Sequence, residues 1–197
     1  MFTGIVEATG VIVDVTGSDG DRRFVIEAPH LTEGLRIGDS ISVEGACLTA
    51  TTVSDTRFGV DLVAETLSRT TLGSVQSGEL VNLERAMSAN GRFDGHIVQG
   101  HVDGVGAVRR ITAAGGGRRI EISCPPSILR YVVEKGSITV NGVSLTVVSV
   151  DSDGFEVALI PHTLEVTTLG RLSESAPVNL EVDILAKYVE RLMESRN

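Results

Sequence analysis

Cys47, His96, His101 and Ser144 are of the types that move protons or attack electron-poor carbon, and their spacing limits what they can do. His96 and His101 stand five apart. A helix face joins residues three or four apart and a strand face joins residues an even number apart, so the two imidazoles share neither, and no metal site is expected. An imidazole titrates close to neutrality and suits proton transfer. His96 reads as a histidine hydrogen-bonded at a strand end, whereas His101 is the candidate acid or base. Cys47 and Thr49 are two apart, as are Ser144 and Thr146, so on a strand each pair presents a nucleophile and a hydroxyl to one side. Thr66 and Thr163 add hydroxyls. Such groups, with glycines that bare backbone donors, fit a neutral polar ligand better than a phosphate. The bland alternatives are a core thiol at Cys47 and helix caps at Thr66 and Thr163, with the same caution over Thr70-Thr71.

These residues fall at matched places because the chain repeats itself. Gly4-Ile5-Val6-Glu7 returns as Gly100-His101-Val102-Asp103, and Val43-Glu44-Gly45-Ala46-Cys47-Leu48-Thr49 returns as Val140-Asn141-Gly142-Val143-Ser144-Leu145-Thr146. Thr70-Thr71-Leu72-Gly73 returns as Thr167-Thr168-Leu169-Gly170, and Val81-Asn82-Leu83-Glu84 as Val178-Asn179-Leu180-Glu181. Two copies with so long a period make two closed domains rather than a solenoid. Positions kept in both copies report a shared fold and ligand. Those that changed, Ile5 to His101, Cys47 to Ser144, Ala64 to Pro161 and Glu65 to His162, are where the copies can divide a task.

The elements that must position these side chains read as short strands. Gly4 to Val15 is expected as a strand bent near Gly10, and the turn cluster from Gly17 through Asp19 to Asp21 leads to a second strand ending before Pro29. Ser40 to Gly45, Ala46 to Val53, Phe58 to Val63 and Glu79 to Arg85 follow, with a helical turn at Glu65 to Gly73. Close spacing without long helices predicts an antiparallel barrel in each copy, and Gly115-Gly116-Gly117 predicts a hairpin tip. From Ile184 the pattern changes. Ile184, Leu185, Tyr188, Val189, Leu192 and Met193 make one face of a helix, with Lys187, Glu190, Arg191 and Glu194 opposite. A helix so short needs something to pack on, either its own barrel or another copy.

Composition removes several classes. A net charge of −9 with no basic stripe argues against nucleic acid. The absence of a basic amino-terminal region and of a long apolar run argues against export or membrane insertion and places the chain in the cytoplasm, and Cys47 and Cys124 do not occupy matching positions, so no disulfide framework is expected. No nucleotide-binding glycine motif opens a helix, and no cofactor is expected.

Met1-Phe2-Thr3-Gly4-Ile5-Val6-Glu7, Gly45-Ala46-Cys47-Leu48-Thr49, Gly95-His96-Ile97-Val98-Gln99-Gly100-His101-Val102-Asp103, Gly142-Val143-Ser144-Leu145-Thr146 and Ile160-Pro161-His162-Thr163-Leu164 together resemble the riboflavin synthase family, over the whole chain. Glu44 departs from the asparagine of that pattern, which Asn141 keeps. The resemblance implies an all-β fold of two tandem homologous antiparallel Greek-key β-barrels with a C-terminal α-helix. The divisions would be a first lumazine-binding barrel at 1–93, a second at 94–183 and an oligomerisation helix at 184–197. It implies the dismutation of two 6,7-dimethyl-8-ribityllumazine molecules, one giving a four-carbon unit to the other, in a homotrimer that can associate with lumazine synthase. Substrate-binding residues would be Gly4, Ile5, Val6, Cys47, Leu48, Thr49, Asp61, Leu62, Val63, Ala64, Glu65 and Thr66 from the first copy. From the second would come Gly100, His101, Val102, Ser144, Leu145, Thr146, Leu159, Ile160, Pro161, His162, Thr163 and Leu164, with Lys135 reaching in from a neighbour. His101 would move the proton of the ligand's acidic methyl group, Cys47 or Ser144 would assist addition to the ring, and Phe2 would cover the reacting pair. The rival within the same fold is a lumazine- or flavin-binding antenna protein without turnover.

Overall fold

The computed structural model describes residues 1–18 and 20–194; Asp19 of the expected turn and residues 195–197 of the expected helical segment lie outside the described residues. The first barrel is built from β1 (Ala8–Ser18), β2 (Asp21–Glu27), β3 (Ser40–Val43), β4 (Ala46–Val53), β5 (Arg57–Val63) and β6 (Leu80–Arg85). The second is built from β7 (Gly104–Ala114), β8 (Gly117–Ser123), β9 (Ser137–Val140), β10 (Val143–Val150), β11 (Gly154–Leu159) and β12 (Pro177–Val182). Each closes in the same cyclic order, β1-β2-β5-β4-β3-β6 and its counterpart β7-β8-β11-β10-β9-β12, all neighbours antiparallel. Short helices α1 (Ala64–Arg69) and α3 (Pro161–Val166) follow β5 and β11, α2 (Pro126–Leu129) follows β8, and α4 (Ile184–Glu194) ends the described chain.

Alternation explains which strand faces make the cores. In β2, Phe24 and Ile26 are fully buried while their neighbours turn outward, and β8 repeats this with Ile120 and Ile122. The strands curve into closure at matched bulges, between Ile12 and Asp14 in β1 and between Val108 and Arg110 in β7. The bend or bulge expected near Gly10 is the bulge between Ile12 and Asp14. Gly10 serves packing instead, since a Cβ there would meet Leu83 Cδ1 at 2.6 Å and Ile26 Cγ2 at 2.7 Å. Gly115 and Gly116, both at positive φ, form the two-residue tip joining β7 and β8.

The barrels meet along a polar seam that is symmetric nearly atom for atom. Asn82 Nδ2 donates to the Asn141 carbonyl at 3.0 Å and Asn179 Nδ2 donates to the Glu44 carbonyl at 2.8 Å. Their Oδ1 atoms accept from Thr168 N at 2.8 Å and Thr71 N at 2.7 Å. At the centre the Gly45 and Gly142 turns touch backbone to backbone: a Cβ on either would lie 2.7 or 2.8 Å from the other's nitrogen. The Thr-Thr-Leu-Gly runs also belong to this frame. Thr70 and Thr167 cap the 3-10 turns Thr71–Ser74 and Thr168–Arg171 by accepting from Leu72 N and Leu169 N, and their hydroxyls donate to the Thr66 and Thr163 carbonyls.

Candidate functional site

β1 begins at Ala8, not Gly4, because the residues before it leave their own barrel. Ser144 N donates to the Gly4 carbonyl at 2.7 Å, and Cys47 N donates to the Gly100 carbonyl at 2.8 Å. Val6 packs against the second core and Val102 against the first. Each copy's leading segment thus lies across the mouth of the other copy's barrel. Both glycines are needed there. Gly4 and Gly100 have φ of +76° and +77°, and a Cβ on either would sit 2.6 Å from the Cβ of Ser144 or Cys47.

A buried glutamate from the home barrel holds each crossing segment. Glu84 accepts from Thr3 N at 2.6 Å, Thr3 Oγ1 at 2.7 Å and Gly4 N at 3.0 Å. Glu181 accepts from Gln99 N at 2.7 Å, Gly100 N at 2.9 Å and His101 N at 3.0 Å. Burial pushes both carboxyls above the usual carboxylate range, and the donated hydrogen bonds oppose that rise. Both acids lie in the repeated Val-Asn-Leu-Glu run, so the signal was present, though it reads as strand.

At the first mouth these arrangements enclose a cavity of about 420 Å³, lined by Ala46, Cys47, Glu65, Thr66, Arg69, Thr70, Gly100, His101, Val102, Asp103 and Lys187. It combines a half-buried thiol, an exposed imidazole and threonine hydroxyls with a semi-apolar wall. Thr66 is not a helix cap, since α1 starts after Val63 without a side-chain cap. Lys187 was read only as part of the polar face of α4, and helical periodicity carries no sign that it reaches a cavity.

The second mouth is matched in backbone but not in chemistry. Ser144 Oγ lies 2.7 Å from His96 Nδ1, while His96 Nε2 is buried without a hydrogen-bond partner among the described residues. Burial holds this imidazole below its ordinary pKa against the opposing field of Asp183. The expectation that His96 is hydrogen-bonded holds, but its partner is a candidate site residue. Position 96 precedes the start of the repeat, so no counterpart exists to flag it.

The other expected residues sort by place. Leu48, Leu62 and Leu159 point into the cores, and Leu145 and Leu164 pack against the second core from its edge. Thr49 and Thr146 are exposed at matched strand positions, Ala64 and Glu65 are exposed at the start of α1 as Pro161 and His162 are at the start of α3, and Thr163 is half-buried. Ile5 is 46% exposed, and Val63 and Ile160 are each 63% exposed, leaving matched apolar lips beside the two mouths. Asp61 faces outward and pairs with Arg23 at 2.6 Å, which holds its carboxyl below the usual range. Lys135 is exposed on the turn before β9 at φ +63°, with its backbone N–H on the Val147 carbonyl. Phe2 is fully buried and bridged to Val98 on both sides of the backbone, so it is no frayed terminus.

Glu44 lies at the seam, away from the lining of the cavity. Its Oε1 accepts from Asn82 N at 2.7 Å as Asn141 Oδ1 accepts from Asn179 N at 2.7 Å. Burial pushes its pKa up to about 8, opposed first by the hydrogen bond from Asn82 N and then by the nearby Thr168 hydroxyl. A larger hollow of about 700 Å³ opens between the N-terminal segment, the 34–40 loop and the 86–94 linker. Its charged lining is already engaged in pairs such as Arg85–Glu7 and Arg36–Asp39, so the smaller cavity is the better candidate.

The lumazine binding domain profile matches residues 3–86 and again 99–183. A riboflavin synthase of Mycobacterium bovis is 50% identical over 99% of this chain and 99% of its own length, and that of Bacillus subtilis is 41% identical over 100% of this chain and 92% of its own. Among solved structures, LumP complexed with riboflavin superposes with a TM-score of 0.85 at 28% identity, covering 92% of this chain and 99% of that one. LumP complexed with 6,7-dimethyl-8-(1'-D-ribityl) lumazine gives 0.84 at 26% identity, over the same 92% and 99%. Two tandem matches, two superposable barrels and full-length identity to synthases converge: the chain belongs to the riboflavin synthase family of transferase-type dismutases.

Proposed function

We propose that this chain binds one 6,7-dimethyl-8-ribityllumazine at each barrel mouth and catalyses their dismutation to riboflavin and 5-amino-6-(D-ribitylamino)uracil. The observation that carries the reading is the crosswise pair of mouths, alike in backbone and unlike in side chains. One fold presents two copies of one substrate in different chemical settings, as a reaction between identical molecules requires. Proximity and orientation can supply roughly 7–11 kcal/mol of such a barrier without a cofactor. His101 moves the proton of the ligand's methyl group, Cys47 or Ser144 assists addition to the ring, and backbone donors and hydroxyls beside the mouths stabilise the developing charge. Incubating the purified protein with the lumazine tests this directly: riboflavin absorbance should appear without added cofactor, and unchanged lumazine would leave a carrier.

A non-catalytic binding protein is the second reading, favoured by the likeness to LumP with its bound ligands. Higher identity to synthases and the joint presence of Phe2, Cys47, His101 and Ser144 favour the enzyme.

Residues 1–93 and 94–183 would then serve as the two binding units and 184–197 as the assembly element of a cytosolic homotrimer that can associate with lumazine synthase. The working site would join the first barrel of one subunit to the second barrel of its neighbour, which contributes Lys135. The helix supports this. α4 turns Lys187 and Glu190 inward, the latter paired to Tyr131 and Arg130, and leaves Leu185, Tyr188, Val189, Leu192 and Met193 between 55% and 68% exposed. Covering each large apolar side chain contributes about 1.5–3 kcal/mol, which favours a partner copy. Truncation after Ile184 should lower the mass found by sedimentation to that of one chain.

A further inference from the structure

Lys187 reaches from α4, an element otherwise read as serving assembly, to the cavity beside Cys47 and His101. It is held there by a fixed partner. Its ammonium pairs with Asp103 Oδ1 at 2.5 Å, while Asp103 Oδ2 accepts from Val182 N at 2.9 Å and Asp103 N donates to the Leu180 carbonyl at 2.8 Å. Asp103 is thus tied at three points, two through its carboxylate and one through its backbone, to the end of β12 and to the helix. An ammonium has three donors, of which the ion pair occupies one.

The matched place in the first copy shows the difference. Glu7 stands where Asp103 stands, and Glu7 Oε1 likewise accepts a backbone N–H, that of Arg85, at 2.7 Å. There, however, all three nitrogens of the cation are engaged away from the mouth: Arg85 gives Nε and Nη2 to Glu7 and Nη1 to the Glu33 carbonyl. Arg85 lies beside the wide hollow, not the cavity. Lys187, by contrast, stands at the first-barrel cavity, in a wall borrowed from the second copy and the terminal helix, with two donors that its ion pair does not take.

We propose that Lys187 is a ligand-binding residue of the first-barrel cavity, donating a charge-assisted hydrogen bond to an oxygen of the lumazine or flavin held there, so that the terminal helix completes a binding site as well as an assembly. This rests on the reading of that cavity as a lumazine site. A bond of this kind to an oxygen-rich neutral ligand is stronger than one between neutral groups, and it is lost with the charge. Arginine in its place keeps a positive donor at similar reach.

Riboflavin is the suitable probe, since as product it binds without turning over. Full-length wild type, Lys187→Met and Lys187→Arg are titrated with riboflavin by fluorescence quenching, with mass followed by sedimentation. The expected result is two sites per chain in wild type. In K187M one of them should weaken about tenfold or more and the other stay unchanged, K187R should regain most of the loss, and all three should have the same mass. Unchanged affinity at both sites in K187M, equal weakening at both, or a changed mass would overturn the role of Lys187 and leave it an ion-pair partner of Asp103. Absence of riboflavin binding in wild type would instead overturn the lumazine-site reading itself. If wild type binds at one site only, the two-site reading falls and the response of that site to K187M still decides Lys187.

Discussion

At Gly45 and Gly142 the two barrels are interchangeable, each turn filling the space the other leaves, and Asn82 and Asn179 exchange the same hydrogen bonds across the seam. At Cys47 and Ser144 they are not. One is a thiol beside an exposed histidine and a lysine from the terminal helix, and the other is a hydroxyl bound to a half-buried histidine. Residues that stayed alike after duplication mostly hold the barrels together, through glycine contacts, capped 3-10 turns and glutamates that anchor the crossing segments. Residues that diverged cluster where a ligand would sit. The symmetric frame delivers two equivalent mouths, and the asymmetric lining lets identical molecules play different parts.

The sharpest way to break that contrast is at the position where the copies carry His101 and Ile5. His101→Ala should lower turnover about a hundredfold or more while riboflavin still binds, the size expected for a lost general acid or base. Ile5→Ala, at the matched place, should cost far less. Equal effects in steady-state assays would mean the histidine is only another lip residue.

The crossing itself gives the next largest effect. Alanine at Gly100 must accept φ of +77° and a Cβ 2.6 Å from that of Cys47, and alanine at Gly4 meets the same conflict at Ser144. Left-handed backbone costs a non-glycine residue about 1–2 kcal/mol before any clash. Gly100→Ala should therefore weaken riboflavin at the first-barrel mouth roughly tenfold to thirtyfold, and Gly4→Ala should do so at the second. Were each glycine to affect its own barrel instead, the crosswise mouths would be wrong.

The duplication, the strands and the terminal helix were legible because periodicity and turn chemistry are local. The crossing was not. Gly4 to Glu7 reads as the start of β1 since nothing in an extended run says which barrel it borders. The kept threonines pointed to a ligand, yet Thr70 and Thr167 are caps, because matched residues in a repeat record fold and function together. His96 and Lys187 lie outside the repeat and could not be found by comparing copies, while Glu44, which departs from the family pattern, is a seam residue.

Glu44 breaks the seam's symmetry, and its effect is a pH dependence. Its folded pKa, about 8, is raised above the ordinary value of 4.5, so the folded state holds a proton that the unfolded chain has released across that window. Stability from this group is therefore present below 4.5 and lost as pH rises toward and past 8. Between pH 7 and pH 9 the wild type should lose about 1 kcal/mol that Glu44→Gln does not lose, since glutamine keeps the acceptor for Asn82 and cannot ionise. Urea unfolding of both proteins at the two pH values measures the difference. Parallel curves would show that Glu44 ionises freely at the seam.

The smallest expected effect concerns the histidine that only the second mouth possesses. His96 fixes the Ser144 hydroxyl through one ring nitrogen at 2.7 Å, and its other nitrogen is buried with no partner among the described residues. A buried polar atom so left is costly, which argues that the ring is kept for its bond to Ser144. His96→Ala should remove that orientation at a cost of about 1 kcal/mol, or roughly fivefold in kcat/KM. Ser144→Ala on its own should produce a loss of at least that size, and the double substitution should add little to it, because the histidine acts only through the hydroxyl. If the two losses multiply, His96 has a separate task at the second mouth. Cys47→Ser offers the control: it gives the first barrel the same hydroxyl without the histidine, and its response to His96→Ala should be that of the wild type.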